Sequence, residues 1–403
     1  MQIDPKRAGF DPARLDRITE HLDRSYVSTG KIAGCQALVA RQGHIAHFSS
    51  LGMADRERAI PIAGDTIFRI YSMTKPITSV ALMTLFERGY FQLNDPLYKV
   101  IPEWRDLRVY VSGEGEAIET KAPEQPPTFR HVLSHTAGFT YGMSRHPVDR
   151  LYGGGEVMRG SGQTLRTFIE RLANIPLRYE PGTRWMYSYS TDICAYLVET
   201  ISGMPFDRYL QETIFDPLGM TDTSFSVAPE KQPRFAANYS RGPDKNLRLV
   251  DDPARSSYLK QPTFLSGGGG LTGTTADYLR FCEMLRRGGE LDGARILSRP
   301  TIELMTKNHL PGSGDLSALA MGAFSETPYS GIGFGLGFAM TIDPVASGSP
   351  SSGEYYWGGA ASTIFWIDPK EDLVAIFMTQ LMPSTTFNFR GQLKNIIYGA
   401  IAD

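Results

Sequence analysis

The stretch Phe68-Arg69-Ile70-Tyr71-Ser72-Met73-Thr74-Lys75 sets a serine and a lysine three positions apart, where an extended run gives way to an apolar-periodic one. A serine hydroxyl is a weak nucleophile until a base takes its proton. With Ser72 opening a helix, Lys75 stands one turn further along the same face. The hydroxyl then lies beside unpaired N-terminal amides, which favour developing negative charge. A second stretch, Pro181-Gly182-Thr183-Arg184-Trp185-Met186-Tyr187-Ser188-Tyr189-Ser190, places Tyr187 after a Pro-Gly turn and ahead of a helical run. An ammonium beside a tyrosine favours the phenolate, and a phenolate can take a serine proton and return it to a leaving group. The plainer reading of Tyr187 is a packing residue of one helix. A third stretch, Glu354-Tyr355-Tyr356-Trp357-Gly358-Gly359-Ala360-Ala361, has two glycines after aromatic residues on an expected strand. Such glycines mark close approach by a ligand or by another part of the chain, or simply a bend.

The elements that must position these residues follow from periodicity and turn chemistry. Residues 11–29 read as a helix, with Asp11 as cap, Pro12 in the first turn, and Leu15, Ile18, Leu22 and Tyr26 on one face. Ala37–Ala40, Arg41-Gln42-Gly43 and His44–Phe48 read as a hairpin. From Ser72 the apolar positions Ile77, Val80, Ala81, Leu85 and Phe86 predict a helix that Gly89 stops. Pro76 is tolerated there because it lies in the first turn. Loop signals dominate 94–163, and helical segments follow at Leu165–Leu172, Thr191–Ile201 and Phe206–Ile214. After Gly267–Gly270 the pattern predicts a helix over Thr275–Arg287, three strands at 332–342, 355–367 and 372–379, and a last helix over 389–402. The expectation is an α+β sandwich: an antiparallel sheet flanked by N- and C-terminal helices, made by residues 1–90 and 265–403. Residues 91–264 form a largely helical, loop-rich insertion, with the active site between the two.

Composition narrows the function. The chain has 403 residues, a formal net charge of −2 and 41% hydrophobic residues, as in an ordinary globular protein. That balance offers no basic field for nucleic acid or an anionic membrane. No apolar run is long enough to span a bilayer, and the N-terminal Met-Gln-Ile-Asp-Pro-Lys-Arg lacks a signal peptide's apolar stretch, so a cytoplasmic location is expected. Cys35, Cys194 and Cys282 form no C-x-x-C pair and read as buried small hydrophobes. A G-x-S-x-G elbow, a Walker motif and H-E-x-x-H are all absent, and no cofactor or metal is expected.

Taken together, the three stretches resemble the class C β-lactamase and penicillin-binding-protein-like serine hydrolases, most closely the family VIII carboxylesterases. The resemblance extends through Phe129–Phe139, Glu199-Thr200-Ile201-Ser202-Gly203, Phe215-Asp216-Pro217-Leu218-Gly219-Met220, Gly267–Leu271 and Gly333-Phe334-Gly335-Leu336-Gly337. These occur in the family's order over roughly residues 10–400. The resemblance implies a β-lactamase/transpeptidase-like fold, Ser72 as the acylated nucleophile, Lys75 in its proton network and Tyr187 as general base. It further implies an oxyanion hole from the backbone N–H groups of Ser72 and Ala360. The Lys75–Tyr187 pair would titrate as a unit, so which member takes the first proton stays open. His131 and His135, four apart, match the family's structural Arg-His-x-Leu-x-His pattern rather than a metal pair.

Two departures refine the substrate. β-Lactamases of this class carry an asparagine two positions after the tyrosine, where this chain has Tyr189, and a lysine at the head of the strand motif, where it has Trp357. Those two groups would hold a β-lactam's amide and carboxylate. Without them, Tyr189, Trp357, Gly358 and Gly359 make an aromatic-walled site for short-chain or small neutral esters, with weak or absent β-lactam hydrolysis. A β-lactamase, D-amino peptidase or acyltransferase on the same scaffold is the alternative; a non-catalytic binder is disfavoured by the intact Ser72, Lys75 and Tyr187. Asp192, five after Tyr187, either orients the Lys–Tyr network or caps its helix. The oligomeric state is open.

Overall fold

The computed structural model describes residues 2–154, 162–321 and 329–403. Part of the loop-rich stretch expected over 94–163 thus lies outside the described residues. The N-terminal segment is helical but broken. Asp11 accepts hydrogen bonds from the amides of Ala13 and Arg14 and starts Pro12–Leu15; α1 (Arg17–Leu22) follows, and a π-helical turn covers Asp23–Val27. Leu15, Ile18, Leu22 and Tyr26 are all buried, as the periodicity requires.

The main sheet is antiparallel throughout. Its strands are β1 (Gly34–Arg41), β2 (His44–Asp55), β3 (Ile60–Pro61), β4 (Ile332–Phe334), β5 (Ala339–Thr341), β6 (Tyr355–Gly358), β7 (Ile364–Asp368) and β8 (Leu373–Thr379). They lie in the order β4-β5-β6-β7-β8-β1-β2-β3, so the N-terminal hairpin completes a sheet begun by the C-terminal strands. Gln42 and Gly43 both have positive φ, which suits the tight two-residue turn of that hairpin. Two of the expected strands are each split. The stretch 332–342 breaks at Gly335–Phe338, where Gly337 has φ +95°, and 355–367 breaks at a turn where Ser362 has φ +64°. Apolar periodicity runs on through both turns because their residues are also buried, which is why they read as one strand.

Both sheet faces are covered. Ile364 pairs with Phe377 and Phe365 with Ile376, so Phe365 and Phe377 point to opposite faces. Phe365 packs against Tyr278 of α4 (Thr275–Arg286), and Phe377 against Phe389 of α5 (Phe389–Tyr398). The sheet is therefore a filling between two helical layers. α2 (Thr74–Glu87) is buried along nearly its whole length and packs on α3 (Ser190–Ser202). A helix apolar all round belongs at the centre of a molecule, and α2 joins the sheet to residues 91–264. That region contains helices, as expected, and also two hairpins, Val109–Ser112 with Glu119–Lys121 and Asn238–Arg241 with Leu247–Asp251. The second hairpin takes Leu381–Met382 as a parallel third strand.

Candidate active site

Ser72 sits on a tight 3-10 turn, Tyr71–Met73, one step before α2 begins at Thr74. The expected helical start is thus displaced by a turn, but Ser72 and Lys75 still meet. Several neighbours fix the turn. Phe68 pairs with Gly273, and the Ile70 amide donates to the Leu271 carbonyl at 3.1 Å. The Tyr278 hydroxyl donates to the Met73 carbonyl at 2.9 Å. Tyr71 holds φ +41°, a left-handed conformation that costs a side-chain-bearing residue roughly 1–2 kcal/mol. Its phenol is held by the Asn238 amide at 3.0 Å.

Lys75 is 1% exposed, and its ammonium donates to Ser72 Oγ at 3.2 Å and to the Gly268 carbonyl at 2.6 Å. Gly268 belongs to the Ser266–Gly270 turn, which is anchored by Asp192 of α3. That carboxylate accepts from Ser266 Oγ at 2.6 Å and from the Gly268 amide at 3.0 Å. Of the two readings of Asp192, network orientation fits: it grips the segment that grips Lys75. Burial pushes its carboxyl above the usual range, while the Lys75 charge and these hydrogen bonds oppose that.

Tyr187 completes the group. Its ring lies 4.5 Å from the Lys75 ammonium, measured to the centroid, and its oxygen accepts from Trp357 Nε1 at 3.2 Å. Tyr141, which the sequence did not single out, packs edge-on against the Tyr187 ring, with centroids 5.3 Å apart. Burial, then the neighbouring phenol of Tyr187, hold Tyr141 well above the ordinary tyrosine range, so it stays protonated. Tyr189 packs edge-on against Tyr141 and Phe168 and also lines the cavity. Behind Tyr187 lies His135, whose ring nitrogens face the hydroxyls of Ser188 and Thr191. Burial, reinforced by the Lys75 charge, keeps it neutral, well below the usual histidine range. His131 instead closes the capping box of the helix Phe129–Leu133 with Thr128. Among the described residues no group of three or more His, Cys, Asp or Glu is placed to hold a metal ion.

Ser72, Tyr187, Tyr189, Trp357, Gly358, Gly359 and Ala360 all line one cavity of about 520 Å³, with Tyr141, Tyr356 and Arg390 added. Every position singled out for the site therefore converges except Lys75, which lies just beneath, against Ser72. The Trp357-Gly358-Gly359 glycines serve another chain segment: a Cβ on Gly359 would lie 2.4 Å from the Ile70 carbonyl oxygen. Thr363 Oγ1 donates to that same carbonyl at 3.4 Å. The strand turn and the nucleophile turn are thus in direct contact, and Ala360 is brought to Ser72's side of the cavity.

The family model described as Beta-lactamase matches residues 15–396. The chain belongs to the Beta-lactamase family. Within it, the esterase EstB of Burkholderia gladioli is 30% identical over 403 residues, covering 94% of this chain and 93% of that one. The acyltransferase calJ of Penicillium decumbens is 29% identical, covering 81% of this chain and 78% of its own. Among solved structures, EstCE1, described as a hydrolase with promiscuous acyltransferase activity, superposes with a TM-score of 0.79 at 26% identity, covering 97% of this chain and 99% of that one. This member of the Beta-lactamase family is an enzyme, a serine hydrolase with the α+β fold expected from sequence. Among its described residues no helix is long and apolar enough to cross a membrane.

Proposed function

We propose that this protein is a serine carboxylesterase acting on short-chain or small neutral esters. The observation that carries the reading is the Lys75 ammonium, 3.2 Å from Ser72 Oγ and 4.5 Å from the centre of the Tyr187 ring. Ser72 Oγ attacks the ester carbonyl and gives up its proton to the Lys75–Tyr187 pair. The tetrahedral oxyanion is received by the backbone N–H groups of Ser72 and Ala360, each donor supplying about 3–4 kcal/mol. Collapse expels the alcohol oxygen, which takes the proton back from the pair. Water then gives a proton to the pair and attacks the acyl-enzyme; collapse releases the acid, and the departing Ser72 Oγ takes that proton back.

The neutral-ester preference rests on the cavity wall. Tyr141, Tyr187, Tyr189, Tyr356 and Trp357 give it five aromatic side chains, and Trp357 stands where the family resemblance puts the lysine of a β-lactamase. The name of EstB supports hydrolysis; those of calJ and EstCE1 favour a second reading, in which an alcohol replaces water at deacylation. A nitrophenyl ester panel of rising acyl length, run with and without an acceptor alcohol, separates the two. Ser72→Ala should reduce both products to background; wild-type turnover in that variant rules the mechanism out. The buried free thiols of Cys35, Cys194 and Cys282 support a cytoplasmic setting. The small-molecule ester is the partner this reading needs, with no nucleic acid or membrane.

A further inference from the structure

Trp357 was read from sequence as an apolar wall. Its indole N–H has a more specific place. An indole nitrogen can only donate, and this one donates to the Tyr187 oxygen at 3.2 Å. The pairing is not an automatic result of burying a tryptophan: among the described residues, Trp185 and Trp366 bury their indole nitrogens without a hydrogen-bond partner. Trp357 is also held firmly. Its carbonyl accepts from Arg390 at 3.1 Å, Phe334 packs edge-on against its ring, and the residue is 7% exposed. The Tyr187 ring is itself packed edge-on by Tyr141 from residues 91–264, with centroids 5.3 Å apart. Tyr141 packs against Tyr189, so it too sits in a fixed frame.

We propose that Trp357 is a positioning residue of the reaction, its indole N–H holding the Tyr187 oxygen. That donor fixes one of the oxygen's hydrogen-bonding directions, and so restricts the direction in which it exchanges a proton. It also favours any negative charge that develops there. The tryptophan therefore does two things: it removes the charge that would recognise an anionic substrate, and it supplies the base with a donor from the sheet. A base held a fraction of an ångström out of line loses rate without losing ground-state binding.

This inference rests on Ser72, Lys75 and Tyr187 being the reacting group, and its test keeps the two apart. Trp357→Phe preserves an aromatic wall and removes the donor. With a short-chain nitrophenyl ester, and concentrations set by active-site titration to exclude misfolded protein, the variant should lose about tenfold or more in kcat with KM changed less than about twofold. Removal of wall contacts alone gives the opposite pattern, a raised KM with unchanged kcat, and that result overturns the inference while leaving the esterase reading intact. The rate constant for labelling Ser72 with a nitrophenyl phosphonate is read in parallel. It should fall by a similar factor, and it decides the matter even where no ester of the panel is turned over. Labelling at the wild-type rate overturns the inference equally.

Discussion

Lys75 and Asp192 meet across a single residue, Gly268. The Lys75 ammonium donates to its carbonyl at 2.6 Å, and the Asp192 carboxylate accepts from its amide at 3.0 Å. The two charges are thereby separated by a short piece of backbone rather than joined in an ion pair. Lys75 keeps a free direction toward Ser72, and the acid holds the carbonyl that aims it. Asp192→Ala should leave the Gly268 amide and the Ser266 hydroxyl unpaired, lowering stability by about 1–3 kcal/mol. It should also reduce kcat, because the Gly268 carbonyl is no longer fixed. Asp192→Asn keeps an acceptor oxygen and should retain more of both. Equal loss in the two variants, read by melting and turnover, would show that charge rather than placement matters.

Lys75→Met removes the ammonium and keeps the length of the side chain. We expect kcat/KM to drop by roughly 10²–10⁴-fold, the usual share of positioned proton transfer. The Gly268 carbonyl loses its donor at the same time, so melting is measured alongside. A variant that is folded and retains more than about a tenth of wild-type kcat/KM would remove Lys75 from the mechanism.

Gly359→Ala tests the contact between the strand turn and the nucleophile turn. Its Cβ would fall 2.4 Å from the Ile70 oxygen and 2.3 Å from Thr363 Oγ1. One of these is backbone, two residues before Ser72, so relief must move the nucleophile. The expected outcome is about 1–3 kcal/mol of destabilisation with a marked loss of kcat. Full activity would mean that the two turns are not mechanically linked.

The acid side of the stability profile should be set partly by His131. Burial, then the Arg130 charge, lower its pKa to about 4, and burial does the same to His47. Below pH 6.5 the unfolded chain takes up protons that the folded one refuses, so stability is full above 6.5 and falls until about pH 4. His131 Nδ1 accepts from the Thr128 amide at 3.3 Å, which protonation abolishes. Glutamine serves that capping position without titrating. Between pH 7 and 5, His131→Gln should lose about 2 kcal/mol less than wild type in denaturant unfolding. An unchanged slope would assign the acid sensitivity elsewhere.

Much of this arrangement was legible in the sequence because it depends on local spacing. Ser72 and Lys75 are close whatever fold surrounds them, and the periodicities of α2, α3 and α4 reflect burial on contiguous chain. Trp357 and Tyr187 were legible only through an ordered set of motifs, since 170 residues separate them. Tyr141 and the Gly268 carbonyl were not legible. Tyr141 lies in a loop stretch with no periodicity, and a backbone carbonyl carries no side-chain signature. The Asn238–Arg241 hairpin was missed because its strands are short and partly exposed, and the sheet partner that stabilises it, Leu381–Met382, lies far along the chain.

The central claim is that Ser72 is the acylated residue. Intact-mass analysis after treatment with a nitrophenyl phosphonate, followed by peptide mapping, tests it directly. The wild-type protein should gain the mass of one phosphonyl group, located on the peptide carrying Ser72, and Ser72→Ala should gain none. An unmodified wild-type protein, or equal labelling of Ser72→Ala, would contradict it.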